Sequence, residues 1–249
     1  YVVPGFIDAH LHLESTLLNP TQLISQAVLR GTTTFIVDPH EAANVAGLDG
    51  IRYIIRDAAK CEANVHVMMP SCVPSLPFEK NGAVLHAEQM REMMDDAHIL
   101  GLGEVMDVPS VLNCEPKMME KLSLFRDYGR IMDGHGGSLD EKSSCCCRLA
   151  GIRTDHECTT YEDAVRETRN GIQILIREGT AARNLTAIVK GIIENQIPVD
   201  CFSFCTDDKH IEDIIENGHI SHNIRKAIAL GLTPEKAYKM ASYNTARCY

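Results

Sequence analysis

Gly5-Phe6-Ile7-Asp8-Ala9-His10-Leu11-His12 is a run of strand length that ends in two histidines separated by a single residue. Side chains two apart on a strand share a face. Phe6, Asp8, His10 and His12 are therefore expected on one side, and Ile7, Ala9 and Leu11 on the other, towards covering helices. Runs of the same kind follow at residues 33–38, 64–70, 99–104, 130–135, 151–156, 173–177 and 199–206. Between them lie stretches with helical periodicity, among them 20–30, 48–61, 87–95 and 161–170. Thr159-Thr160-Tyr161-Glu162 reads as a capping box opening the last of these.

Strands alternating with helices predict a parallel sheet with crossover connections. Eight such units in 249 residues predict an α/β fold closed into a (β/α)8 TIM-like barrel. Residues 1–249 are expected to form one catalytic barrel taken from a longer protein, because the chain starts at Tyr1 and stops directly after Ser242-Tyr243-Asn244-Thr245.

Composition narrows the possible partners. A formal net charge of −10 and the lack of any basic run argue against nucleic acid, and no apolar run reaches the length that crosses a membrane. The ten cysteines lie in apolar segments (Cys61, Cys201, Cys205) or in the run Cys145-Cys146-Cys147, without loop spacings or a CxxC pair. That usage suits a reducing, cytoplasmic setting. The triple run is expected on a helix, partly buried, since adjacent helical residues spread around the axis.

The chemistry is expected at the strand ends. His10 and His12 close the first run, Glu104 the fourth, His135 the fifth and His156 the sixth, while Asp207 follows the eighth. In a (β/α)8 barrel those ends converge on one face. Four histidines and two carboxylates gathered there are a donor set for two divalent ions that share a carboxylate.

Several stretches are similar to a known family. Pro4-Gly5-Phe6-Ile7-Asp8-Ala9-His10-Leu11-His12 resembles the first-strand signature of the amidohydrolase superfamily. Gly31-Thr32-Thr33-Thr34, Asp38-Pro39-His40-Glu41-Ala42-Ala43-Asn44-Val45, Gly101-Leu102-Gly103-Glu104-Val105-Met106, Thr154-Asp155-His156-Glu157-Cys158 and Cys205-Thr206-Asp207-Asp208-Lys209-His210 resemble the bacterial-type adenine deaminases within it. The resemblance implies hydrolysis of adenine to hypoxanthine and ammonia with two metal ions, manganese or iron. It implies His10, His12 and Asp207 on one ion, His135 and His156 on the other, and Glu104 between them. It also implies a homo-oligomeric full-length form with a β-sandwich and a C-terminal domain, neither of which is contained in these 249 residues. Residues 136–148 depart from the family pattern.

Of the remaining polar residues near strand ends, His40 and Glu41 join Asp207 and Glu104 as catalytic candidates, because a His-Glu pair after Asp38-Pro39 is hard to explain by helix capping alone. Glu14, Ser71, Glu157 and Glu178 are candidates for contacting a purine. Alternative readings are another amidohydrolase acting on a related purine or cyclic amide, and an inactive barrel kept as a binding module.

Overall fold

The computed structural model describes residues 2–76 and 78–249. Among them, eight strands run in chain order: β1 (Phe6–Leu11), β2 (Thr32–Val37), β3 (Asn64–Met69), β4 (Ile99–Val105), β5 (Ile131–Gly134), β6 (Thr154–Asp155), β7 (Gln173–Arg177) and β8 (Phe202–Cys205). β1 to β5 form one parallel sheet and β6 to β8 another, each in sequential order. Two seams join them into a ring. Arg153 N–H donates to the Met132 carbonyl at 2.9 Å, and Asp207 N–H to the His10 carbonyl at 3.0 Å. The expected barrel is present.

More than half of the strand side chains are apolar, as suits a parallel sheet covered by helices. Phe35, Val37, Val67 and Ile99 pack with Leu23, Ile24, Ile51 and Phe125 from the helix layer. Ile174, Ile176, Phe202 and Phe204 pack with Ile188, Val189 and Ile224 on the other flank. Ala9, Leu175 and Cys205 form a small cluster of their own, with Tyr249 against it.

Three expectations are corrected. Alternation along β1 fails because the register against β2 slips between Asp8 and Leu11, a bulge. Asp8 consequently turns away from His10 and His12, towards Thr206 and His219, while Ala9 and Leu11 fall in separate clusters. β6 is two residues long, because the helix Glu141–Ala150 ends on Gly151 at φ 110° and the strand begins only after it, at Thr154. The cap of the helix Tyr161–Arg169 is Thr160, whose hydroxyl accepts from Asp163 N–H, one residue later than the expected box. Cys145, Cys146 and Cys147 lie on a helix as expected, exposed, half-buried and buried in turn.

Behind β6 the helix Tyr161–Arg169 buries Glu167 completely, with neither carboxylate oxygen hydrogen-bonded. Burial, with Asp155 nearby, pushes its pKa up to about 9. A carboxyl raised in the folded state stabilises fully below its ordinary value of 4.5, and that contribution is lost as pH rises through about 9. Glu167→Gln should therefore gain stability over the parent at pH 9 relative to pH 5, by about 1–3 kcal/mol. Urea denaturation at the two pH values reads the difference, and an equal effect at both would contradict it.

Candidate metal centre

His10, His12, Glu104, His135, His156 and Asp207 converge at the C-terminal ends of the strands. His10 Nε2 and His12 Nε2 are 3.2 Å apart, and Asp207 Oδ1 lies 3.7 Å and 3.4 Å from them. On the other side His135 Nδ1 and His156 Nε2 are 3.2 Å apart, and Glu104 Oε2 lies 2.5 Å and 3.1 Å from them. Glu104 Oε1 faces the opposite way, 3.4 Å from His12 Nε2. One carboxylate thus presents one oxygen to each histidine pair.

These spacings fit metal ions. Ligand atoms about 2.1 Å from a shared tetrahedral ion stand about 3.4 Å from each other. The groups His10, His156 and Asp207, His10, His12 and Glu104, and Glu104, His135 and His156 each bring three donors within 4.8 Å. Imidazole and carboxylate donors together suit manganese, iron or zinc.

Without a cation, burial on His12 is outweighed by Asp207 and Glu104 and on His156 by Glu104, which push both pKa values up, so a metal ion would displace their protons. His12 Nδ1 sits 2.8 Å from the Asp38 carbonyl, so it carries a proton and Nε2 is the nitrogen that a cation would take. Burial, then the neighbouring His156 and His12, push His10 well below its ordinary pKa, leaving it neutral. Burial opposes charge on Glu104, but contacts with His135, His156 and His40 outweigh it and hold the carboxyl well below the usual range. Asp207 is likewise ionised, burial being outweighed by His12 and His156.

Buried aspartates fix the backbone beside these ligands. Asp38 Oδ2 accepts from Glu104 N–H at 2.8 Å, and a Cβ on Gly103 would meet that oxygen at 2.2 Å, so only glycine fits there. Asp8 accepts from Thr206 N–H at 3.0 Å and from its hydroxyl at 2.5 Å, one residue before Asp207. Asp155 accepts from Gly136 and Glu157 N–H, next to His135 and His156. Sequence reasoning assigned none of these three a role, although Asp155 directly precedes a ligand histidine. Arg177, which as the end of the seventh run is expected only to neutralise an acidic mouth, contacts Asp207 at 3.0 Å.

The weaker candidates divide. His40 enters the cluster, with Nδ1 3.0 Å from Glu104 Oε1 and its ring 4.4 Å from that of His12. Glu41 lies 3.5 Å from His40 Nε2. Glu14 accepts from Ala42 N–H at the start of the helix His40–Ala46 and leaves its other oxygen buried without a partner. Glu157 comes within 3.7 Å of His135 Nε2. Ser71 is buried, its hydroxyl donating to the Glu104 carbonyl at 2.5 Å, so it braces a ligand strand rather than offering a free hydroxyl. Glu178 is not brought to the mouth: alternation after Arg177 turns it to the helix layer, where it meets Lys226 at 2.5 Å. Asp208 is exposed beside the buried Asp207.

The amidohydrolase family model matches residues 1–249. A protein named adenine deaminase from Desulfitobacterium hafniense (strain Y51) is 59% identical over 249 residues, covering 100% of this chain and 43% of that protein. Another so named, from Clostridium acetobutylicum, is 45% identical over 250 residues, with the same shares covered. The chain therefore spans 43% of the length of each of these relatives. The crystal structure of a dihydroorotase superposes with a TM-score of 0.68 at 16% identity, covering 98% of this chain and 82% of that one.

Proposed function

The chain belongs to the amidohydrolase family, and from that premise we propose that it hydrolyses adenine to hypoxanthine and ammonia with two divalent metal ions, manganese or iron. The six converging ligand atoms carry this reading, and likeness to proteins named adenine deaminase narrows the substrate. His10, His12 and Asp207 would hold one ion, His135 and His156 the other, with Glu104 shared. Bound there, the ions would supply a water acidic enough to attack C6 of adenine at neutral pH.

The chain's own groups would handle the protons. Asp207, ionised and turned towards His10 and His12, accepts a proton from the attacking water and passes it to the departing amino nitrogen. His40 and Glu41 stand at the rim beside Glu104, where one of them can protonate N1 as C6 becomes tetrahedral. Glu14 and Glu157, on opposite flanks, are placed to accept hydrogen bonds from purine N–H groups. Asp38, Asp8 and Asp155 keep the ligand backbone in register. No helix of the described residues is long and apolar enough to cross a membrane, and all ten cysteines are free, which supports a cytoplasmic setting.

Ammonia release from a purine panel tests the substrate. Adenine should be turned over, and adenosine, with a ribose on N9, should fall at least about 10²-fold lower in kcat/KM. Comparable kcat/KM for adenosine would contradict the preference for the free base, and ammonia from no purine would sink the proposal.

A further inference from the structure

Arg177, the last residue of β7, spends its whole guanidinium on groups around the centre. Nε donates to Asn184 Oδ1 at 2.7 Å and Nη2 to Glu157 Oε2 at 3.0 Å. Nη1 reaches Asp207 Oδ2 at 3.0 Å and also Glu157 Oε1. The fork geometry explains why arginine does this: it grips a carboxylate by both oxygens. Asp207 keeps its other oxygen facing His10 and His12.

Glu157 needs such a grip. Its Oε1 lies 3.9 Å from His156 Nε2 and 3.7 Å from His135 Nε2, the other ring nitrogen than the one facing Glu104, so the carboxylate stands at the edge of the donor set. It is a further donor beside the set of six, as His40 and Asp208 are. Unrestrained, a carboxylate that close to two divalent cations is drawn onto them. Bound there, it would fill the position that a catalytic site keeps open for water or substrate.

We infer that Arg177 is a positioning residue that holds the Glu157 carboxylate off the metal pair and so keeps a coordination position open. This rests on the two-metal reading above. It gives Arg177 a purpose other than neutralising an acidic mouth, since neutralisation alone would not require both Glu157 oxygens to be engaged.

The test compares the metal-loaded protein with Arg177→Met, Arg177→Lys, Glu157→Gln and the double variant Arg177→Met/Glu157→Gln. Metal release to a chelator is followed alongside kcat and KM for adenine. Arg177→Met should release metal about tenfold more slowly than the parent, as an added ligand would make it, while kcat falls. Arg177→Lys, whose ammonium holds one oxygen at a time, should lie between them and covers the case in which Arg177→Met does not fold. In the double variant, release should return to the rate of Glu157→Gln alone. Release from Arg177→Met and Arg177→Lys as fast as from the parent, or slow release persisting in the double variant, would overturn the inference and leave the proposed function standing. A parent protein that binds no metal pair would overturn both.

Discussion

Asp207→Asn should lose about 10²–10⁴-fold in kcat while retaining most of its metal. Asparagine still presents an oxygen at the Oδ1 position, 3.4 Å from His12 Nε2, but it cannot accept a proton at neutral pH. The substitution is clean at the backbone. Asp207 sits at φ 57°, in the left-handed region that aspartate and asparagine tolerate better than most residues. Its N–H donates to the His10 carbonyl across the β8–β1 seam, a contact that the side chain does not alter. Asp208→Asn is the comparison, because Asp208 is exposed although its carboxylate lies within 4.8 Å of donor atoms on His12 and Asp207. Metal content and turnover of both variants decide the matter. A dead Asp208→Asn beside an active Asp207→Asn would move the proton-carrying role one residue along the chain.

Glu104→Gln should lose both activity and metal, and lose more than any other single ligand change. Its two oxygens serve the two halves separately, Oε1 towards His12 and Oε2 towards His135 and His156. Glutamine replaces one of those oxygens by an NH2 group, which cannot ligate, and removes the one negative charge shared by both ions. Partners outside the ligand shell typically cost 10–100-fold when lost, so loss of the shared ligand should exceed about a hundredfold in turnover. Elemental analysis and ammonia release on the purified variant check both halves of the expectation. Two ions retained, with activity within tenfold of the parent, would show that the bridge lies elsewhere.

The barrel is legible because each strand run is short, apolar and followed by a helical period, and the six proposed ligands because each sits at or just beyond a strand end. What stayed hidden depends on contacts between distant segments. The bulge in β1 cannot be read from strict alternation, so Asp8 was placed with the histidines when it faces Thr206 and His219. Ser71 looks like a free hydroxyl until Glu104 is seen to accept from it, 33 residues away. Glu178 could have been placed correctly, since alternation sends it opposite to Arg177. Asp38 and Asp155 hold backbone N–H groups next to ligands, which no spacing rule announces. Arg177 becomes meaningful only once Glu157 and Asp207 are known to share it.

The central claim is a pair of metal ions divided between two histidine pairs and joined through one glutamate. Its most direct test is elemental analysis of the reconstituted protein beside His135→Ala and His156→Ala, which remove donors from one half only. The arrangement predicts two equivalents of divalent metal per chain in the parent and about one in each variant. Unchanged metal content in both variants, or a single equivalent in the parent, would contradict it.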